Sequence, residues 1–417
     1  MTMAGQAYAQ GMKWVSELPC HDRPAFKMAL HVHEGRWYLY CAHFWHSGWS
    51  ITDVTDPARP RFVRFIDGPP NTWTLQVQIA DGLMITSMER IPDGWGGDPK
   101  GPYGEGFYVW GLSDPENPIL LGHYKTGGAG THRNFYDGGR YVHTTALPEG
   151  YDGHIYVVVD ISNPSQPDEV ARWWRPGQWL AGGEAGVPFG TLLHGGAFVK
   201  GDRAYLPYSA GGFVILDISD MKHPKMISDL PFSPPFQAYI AVHSAIPLLG
   251  RPLVIVNSEA IAEQGNEDLG YAGIVDISDE NSPRLISLFP QPQPPADWGL
   301  GNFYQRPGRF GPHNQHQWQN QGILLHDENL VFLTYFNAGL RVYDIRDERS
   351  PKEIACYIPP DPSQRLGPLP KSGLVTQSED VLVDARGNIF VSDKNRGVVV
   401  LRLDESLRRS EEHTSEL

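Results

Sequence analysis

The chain has 417 residues, of which 41% are hydrophobic and 20% are charged, so it carries enough apolar material for a folded core. Its 34 basic and 48 acidic residues give a formal net charge of −14, which argues against nucleic acid or an anionic membrane as a partner. It shows no long apolar span, no signal-peptide pattern and only three cysteines. We therefore expect a cytoplasmic protein whose partner is a small-molecule substrate.

One short motif recurs along the chain: an apolar run, an acidic residue, an apolar residue, a small polar pair and then a proline. Its copies are ITDVTDPARP at 51–60, VWGLSDPENP at 109–118, VVDISNPSQP at 158–167, ILDISDMKHP at 215–224, IVDISDENSP at 274–283, VYDIRDERSP at 342–351 and a degenerate VVVLRLDES at 398–406. Successive copies lie 49 to 68 residues apart, which suits propeller blades with generous loops. A tight-turn hairpin precedes each copy and a short strand follows the first six, so each unit is predicted to hold four strands.

The seventh unit lacks its fourth strand, because the pattern ends after VVVLRL near the C-terminus. The segment KWVSELP at 13–19 has the pattern of an outer strand and precedes the first inner strand. We therefore predict an all-β fold, a seven-bladed β-propeller of four-stranded blades, with 13–19 closing the ring as the outer strand of the last blade. Residues 1–408 are predicted to form this single domain. The ending RSEEHTSEL resembles a translated sequencing adapter, and we interpret 409–417 as a non-native tail.

The VVDIS, ILDIS and IVDIS copies make the chain similar to the LVIVD-repeat family of propellers over nearly its whole length. The resemblance implies the propeller fold. It says little about chemistry, which has to be argued from the residues themselves.

Histidines recur at one position of the predicted blades. The third, fourth and fifth blades have one near the start of the inner strand, and the sixth is entered through GPHNQHQW, with its strand beginning near Gln321. Inner strands surround the axis closely, so side chains at one end of them converge. The predicted ligands of a divalent transition metal (Fe, Cu, Mn, Ni or Zn) are His132, His194, His243 and His313, with His316 as the substitute for His313. The alternative is that each histidine supports a turn in its own blade.

A four-histidine centre on the axis of a seven-bladed propeller resembles the carotenoid-cleavage oxygenases, which hold non-haem iron in this way. Selenium-binding/methanethiol oxidase proteins are a second group of metal-binding propellers with histidine-rich channels. The resemblance concerns architecture, and it implies oxidative metal chemistry.

Further polar and aromatic residues fall on loops and strand ends at the same face. The candidate catalytic groups are Glu379, Glu259 and Tyr208, with Glu89 from a long insertion as a further carboxylate. The candidate substrate contacts are His43, His46, Trp179, Trp298, Tyr304, Tyr335 and Asn337. The long connections 175–193 and 290–310 are predicted to carry an aromatic wall, which also includes Phe189. Alternatively, these connections only cover blade edges.

Together these features favour a metal-dependent enzyme that acts on a small apolar or aromatic substrate, with oxidative chemistry as the first choice. A metal-assisted hydrolase or lyase is the alternative among enzymes. A non-catalytic protein-binding propeller is the alternative outside them.

Overall fold

The computed structural model describes residues 5–231, 239–268 and 270–407. Within these ranges the strands form seven antiparallel blades, which confirms the predicted seven-bladed propeller. The interpreted non-native tail, 409–417, lies outside the described residues. No helix in the described part of the chain is long and apolar enough to cross a bilayer.

Blades 1, 3, 4, 5 and 7 each consist of four strands, named a to d from the inside outward. Blade 2 differs from them only in that its inner strand is divided into two. Blade 1 contains Ala25–His33, Arg36–His43, Gly48–Asp53 and Arg61–Asp67. Blade 2 contains Thr72–Trp73 with Val77–Ala80, then Leu83–Arg90, Gly106–Gly111 and Ile119–Tyr124. Blade 3 contains Gly128–Phe135, Tyr141–Pro148, Ile155–Asp160 and Asp168–Trp173. Blade 4 contains Phe198–Lys200, Arg203–Pro207, Phe213–Asp217 and Lys225–Leu230. Blade 5 contains Ile240–Pro247, Leu253–Glu259, Ala272–Asp276 and Arg284–Leu288. Blade 7 contains Ser378–Val383, Ile389–Asp393, Arg396–Leu403 and the N-terminal Met12–Leu18.

Blade 6 departs from the prediction. From the inside outward, its regular strands are Leu330–Thr334, Leu340–Asp344 and Lys352–Ile358. The N-terminal strand Tyr8–Gln10 pairs with the last of these at the outer edge. No described strand begins near Gln321, so that expectation was wrong. The histidine-containing segment before it takes the inner place instead, because the backbone N–H of His313 donates to Thr334 O at 2.9 Å. The connections between strands include short 3-10 helices at Leu180–Gly182, Ser209–Gly211, Glu263–Gly265, Ala296–Trp298 and Phe303–Gln305.

The acidic residue of the repeat shapes the turn between strands c and d. Ser162, Ser219 and Ser278 each donate a backbone N–H, at 2.8 or 2.9 Å, to Oδ1 of the aspartate two positions earlier. Such Asx turns fix a tight reversal locally. The recurring Asp-x-Ser is therefore a structural signature of the blade. It lies at the turn between the two outer strands and not on the inner strand.

The inner strands of four blades lose regular pairing with strand b close to the residues that face the axis. The breaks lie between Ala25 and Met28, Thr131 and Arg133, Ile240 and Ser244, and Ser378 and Val381. They contain or border the polar side chains Lys27, His132, His243, Glu379 and Asp380. An irregularity of this kind re-aims side chains that a regular strand would send to alternate faces. The face that carries these breaks, together with the d-to-a and b-to-c connections, is called the top.

The ring is closed by Met12–Leu18, which pairs antiparallel with Arg396–Leu403. This confirms the closing strand, one residue earlier than predicted. Leu18 is buried against Val398 and Val400, whereas Trp14 on the same strand is 56% exposed. The closure therefore depends on one apolar face of a short strand.

Leu18→Ala is expected to lower the free energy of unfolding by about 2–5 kcal/mol, because it opens a cavity at the seam of the ring. Trp14→Ala, on the exposed face, is expected to cost less than about 0.5 kcal/mol. Chemical denaturation of both variants measures the difference. Equal midpoints for the two variants would contradict closure through this strand.

Candidate metal centre

A cavity of about 470 Å³ lies at the top of the propeller. His132, His194 and His313 line it, and the fully buried His243 packs between the last two. The structure thus brings the four principal predicted ligands together, although they lie 181 positions apart at the extremes of the sequence. A fifth imidazole, His154 from the b-to-c connection of blade 3, also lines the cavity and was missed from the sequence.

The five imidazoles form a continuous row. Their ring centroids are 5.6 Å apart for His154 and His132, 4.6 Å for His132 and His194, 5.4 Å for His194 and His243, and 4.8 Å for His243 and His313. Two carboxylates, Glu89 and Glu259, divide the row into two sets. Ligand atoms lie within 4.8 Å of one another in the group Glu89, His132 and His154, and likewise in the group His194, His243 and Glu259. His313 is not part of the latter group, and we place it with the second set because its Nε2 lies 3.6 Å from Glu259 Oε1. Both sets contain the donor types that transition metals prefer.

In the first set, Glu89 makes short contacts to two imidazoles. Glu89 Oε2 lies 2.6 Å from His132 Nδ1, and Oε1 lies 2.5 Å from His154 Nε2. Burial acts to raise the pKa of Glu89, but the two imidazoles outweigh it and the pKa is lowered. Burial also lowers the pKa of His132, so we assign a neutral ring that donates Nδ1–H to the carboxylate and leaves Nε2 free as a ligand.

In the second set, Glu259 lies farther from three imidazoles. Its Oε2 is 3.2 Å from His194 Nε2 and 3.5 Å from His243 Nε2, and its Oε1 is 3.6 Å from His313 Nε2. Only the first of these distances meets the limit of a hydrogen bond. His194 is therefore hydrogen-bonded to the carboxylate, whereas the nitrogens of His243 and His313 lie beside it without a hydrogen bond.

These separations distinguish the two sets chemically. Two ligands of one tetrahedral ion, each bound at about 2.0–2.1 Å, lie about 3.3–3.4 Å apart. The contacts of Glu259 Oε2 to His194 and His243, at 3.2 and 3.5 Å, lie near that spacing, whereas those of Glu89 are the shorter contacts of direct hydrogen bonds. The second set therefore has the spacing of a metal site, and the first has the spacing of a hydrogen-bonded support for His132.

The imidazole of His243 has one nitrogen with no partner. Its Nδ1 lies 2.8 Å from Ser244 Oγ, but its fully buried Nε2 makes no hydrogen bond. Leaving a buried polar atom unsatisfied costs about 1–3 kcal/mol, and such atoms commonly mark an ion or a water. The unpaired Nε2 points to a ligand that completes the second set.

A carboxylate also lies behind the ring of His313, as Glu89 lies behind His132. Its Nδ1 lies 3.2 Å from Glu379 Oε2, and Glu379 Oε1 lies 2.7 Å from Lys394 Nζ. A carboxylate behind a histidine fixes the orientation of the ring and raises its strength as a ligand. Burial lowers the pKa values of His194, His243 and His313 well below the ordinary value, which keeps the rings in the neutral, metal-binding form.

A glycine next to His194 allows this part of the chain to lie close to His243. A side chain at Gly195 would overlap the carbonyl oxygen of His243, so the connection carrying His194 reaches blade 5 only with glycine at that position. The two glycines after His194 in the sequence LLHGGAF are the sequence feature that indicates this close approach.

The apolar wall of the cavity comes from blades 1 and 2. The aromatic side chains Phe26, Phe44, Trp73 and Trp95 line it, the last from the long insertion of blade 2. Of the aromatic wall predicted on the long connections, Phe189 lines the cavity and is 81% exposed. The expectation that this wall lies on the d-to-a connections therefore holds only at that position.

Two candidate histidines are held as structural groups. The ring nitrogens of His316 contact Leu325 O at 2.9 Å and the backbone N–H of Val383 at 3.1 Å, so the ring has no nitrogen left for a metal. Those of His43 contact Pro24 O and Ser50 Oγ, and the ring is fully buried. His46 is half-buried and does not line the cavity.

The remaining predicted contacts pack elsewhere. Tyr208 is fully buried and donates its hydroxyl to Gln178 Oε1, so it does not face the cavity. Asn337 donates to Phe303 O and Pro307 O, which fastens the 290–310 connection to blade 6. None of the following lines the cavity: Trp179, Trp298, Tyr304 and Tyr335. For Trp179, Trp298 and Tyr304 this fits the alternative that the long connections cover blade edges. Glu259 and Glu379, by contrast, do line the cavity.

The LVIVD repeat family matches residues 153–173 and 197–230, within blades 3 and 4. Among solved structures, the chain is similar to the WD40 β-propeller domain of Doa1, with 11% identity over 95% of this chain and 98% of that one, and a TM-score of 0.53. It is also similar to YCF48 from Cyanidioschyzon merolae, with 10% identity over 95% and 99% of the two chains and a TM-score of 0.54. Identities this low show the fold alone, and no curated protein matches the sequence significantly.

The fold and these likenesses define the class: the protein is a β-propeller. The LVIVD repeat at residues 153–173 and 197–230 confirms the predicted resemblance to that family in these two blades.

Gly195→Ala is expected to displace the connection that carries His194 and to lower the free energy of unfolding by about 1–3 kcal/mol or more, because the new methyl group overlaps backbone. Gly322→Ala is the matched control, since nothing lies within 4 Å of a side chain there. Thermal denaturation compares the two variants. An unchanged midpoint for Gly195→Ala would contradict the close approach.

Proposed function

We propose that this propeller is a metal-dependent enzyme whose ion binds between His194, His243, His313 and Glu259. The observation that carries the proposal is the unpaired Nε2 of His243, which lies in a set of donor atoms spaced as ligands of one ion. A purely structural histidine cluster leaves the unpaired nitrogen and the matching distances unexplained. The predicted ligand His132 then acts from the neighbouring position, supported by Glu89.

The substrate is a small molecule with an apolar or aromatic portion. A cavity of about 470 Å³ falls within the usual range for small-molecule sites, and its wall of Phe26, Phe44, Trp73 and Trp95 offers flat apolar surfaces. The imidazoles and carboxylates lie at the other side of the same cavity. An apolar group packed on the aromatic wall thus places the rest of the molecule beside the proposed ion.

Oxidative chemistry is the first reaction class we propose. Several neutral imidazoles suit the redox-active ions Fe, Cu and Mn, and an aromatic wall limits the access of water. A metal-assisted hydrolase or lyase is the second class, favoured by Glu379. Burial raises the pKa of this carboxyl, and it lies at the cavity, where a base is needed to remove a proton.

The purified full-length protein is expected to hold about one equivalent of a transition metal, as measured by elemental analysis. His194→Ala combined with His243→Ala is expected to lose the metal while keeping the fold, because it removes two of the four proposed ligands. The matched control is His316→Gln, which lies outside the site and is expected to keep the metal.

Absence of metal from the wild-type protein, also after reconstitution, would contradict the proposal and favour the protein-binding propeller. Loss of metal from His316→Gln with retention in the double variant would place the ion elsewhere. Circular dichroism on each variant separates loss of the ion from loss of the fold.

A catalytic ion keeps an open coordination position, whereas a structural ion is saturated. The protein loaded anaerobically with Fe(II) is expected to bind nitric oxide and to show the electron paramagnetic resonance signal of a high-spin iron nitrosyl. The double variant is expected to show none. A loaded wild-type protein without this signal would contradict an enzyme site and indicate a structural ion.

A further inference from the structure

A buried guanidinium group at the cavity has no hydrogen-bonding partner for two of its nitrogens. Arg133 is 3% exposed and lines the cavity, yet its Nε and NH1 atoms are buried without a hydrogen bond. Its guanidinium carbon lies 4.8 Å from the ring centroid of Phe26, on the aromatic wall. Neither the sequence prediction nor the proposed ion accounts for this side chain.

The other cations near the axis differ from Arg133, because each lies against a carboxylate. Lys27 Nζ lies 2.6 Å from Asp380 Oδ1, Lys394 Nζ 2.7 Å from Glu379 Oε1, and Arg309 NH1 3.1 Å from Glu259 Oε1. A buried charge without a partner is costly, so natural proteins pair such groups or use them to bind a ligand. Within the described residues, Arg133 is the cation of this group that makes no ion pair within 4.0 Å, although nearby carboxylates including Glu259 and Asp380 act on its charge from farther away.

The register break in blade 3 brings Arg133 to the same cavity as its neighbour in sequence. Thr131 pairs with Ala146 and Arg133 pairs with Thr145, so the ladder skips His132. In a regular strand, adjacent side chains point to opposite faces, but a bulge allows both to face one side. Both His132 and Arg133 accordingly line the cavity.

The charges around the axis leave room for an anion. The buried group described here holds four carboxylates, Glu89, Glu259, Glu379 and Asp380, and four cations, Lys27, Arg133, Arg309 and Lys394. A singly charged anionic group on the ligand fits where Arg133 has free donors, because the other three cations already lie against carboxylates.

We propose that Arg133 binds a carboxylate of the substrate, which makes the substrate a small apolar or aromatic carboxylic acid. This inference rests on the proposed function, because it names the substrate class of the same site. The guanidinium holds the carboxylate at the aromatic wall beside Phe26. The apolar body then lies across that wall, and the reacting carbon is placed next to His132 and the proposed ion.

The test uses benzoate as the anionic probe and benzamide as its neutral counterpart of the same shape. Isothermal titration calorimetry on the metal-loaded full-length protein is expected to show benzoate binding about 10- to 100-fold more tightly, the effect of charge-assisted hydrogen bonds. Arg133→Met is expected to abolish this preference, and Arg133→Lys to keep part of it because the positive charge remains. Both variants are expected to keep the wild-type metal content and melting temperature.

Equal affinity of wild type for benzoate and benzamide, or no benzoate binding at all, would overturn the assignment. Undiminished benzoate binding by Arg133→Met would overturn it as well, most clearly if removal of the metal then abolished binding, since the carboxylate would sit on the ion. Failure of the proposed function is a separate result. It shows as a wild-type protein without metal, in which the benzoate preference and its loss in Arg133→Met are still measurable.

Should Arg133→Met fail to fold, Arg133→Lys decides the question. A folded Arg133→Lys variant that prefers benzoate by less than wild type supports the assignment, and one with an unchanged preference contradicts specific recognition by the guanidinium.

Discussion

The inner strands of a propeller converge on one axis, and the polar side chains at their upper ends are buried against one another. Around this axis the described residues place five imidazoles and eight charged groups, most of them hidden from solvent. Burial disfavours charge, so the imidazoles at His194, His243 and His313 stay neutral and the carboxylates need cations close by. The register breaks of the inner strands, the glycine at 195 and the ion pairs near the axis all follow from this crowding.

Within that arrangement, distance separates the supporting contacts from the ligand positions. Glu89 holds His132 at hydrogen-bonding distance, while the contacts of Glu259 Oε2 to His194 and His243 have the spacing of ligands around an ion, with His313 next to them. Glu379 and Lys394 behind His313 extend the support outward. In our proposal, substrate specificity comes from the opposite wall of the cavity. There, aromatic rings and the guanidinium of Arg133, which has two nitrogens without a hydrogen bond, line the same space.

The fold was predictable because copies of the sequence repeat contain the same local hydrogen-bonded turn. Each Asp-x-Ser turn depends on residues two positions apart, and the orphan N-terminal strand left one way to complete the last blade. The in-register histidines were predictable for the same reason, since equivalent positions of successive blades meet at the axis. Glu379 and Glu259 followed from their place at strand ends.

The sequence could not show which side chains leave the regular pattern. His316 was expected as a substitute ligand because it is three residues from His313, but the irregular segment turns its ring to the backbone of Leu325 and Val383. Arg133 follows a histidine in a strand and would ordinarily face away, until the bulge turns it to the cavity. His154 lies in a connection whose course depends on tertiary packing.

The central claim is the position of one ion, and anomalous diffraction from crystals of the metal-loaded protein tests it most directly. A single strong anomalous peak within bonding distance of the Nε2 atoms of His194, His243 and His313 and of the Glu259 carboxylate is the predicted result. A peak between Glu89, His132 and His154, or no peak in the cavity of a protein that carries the metal, would contradict the account.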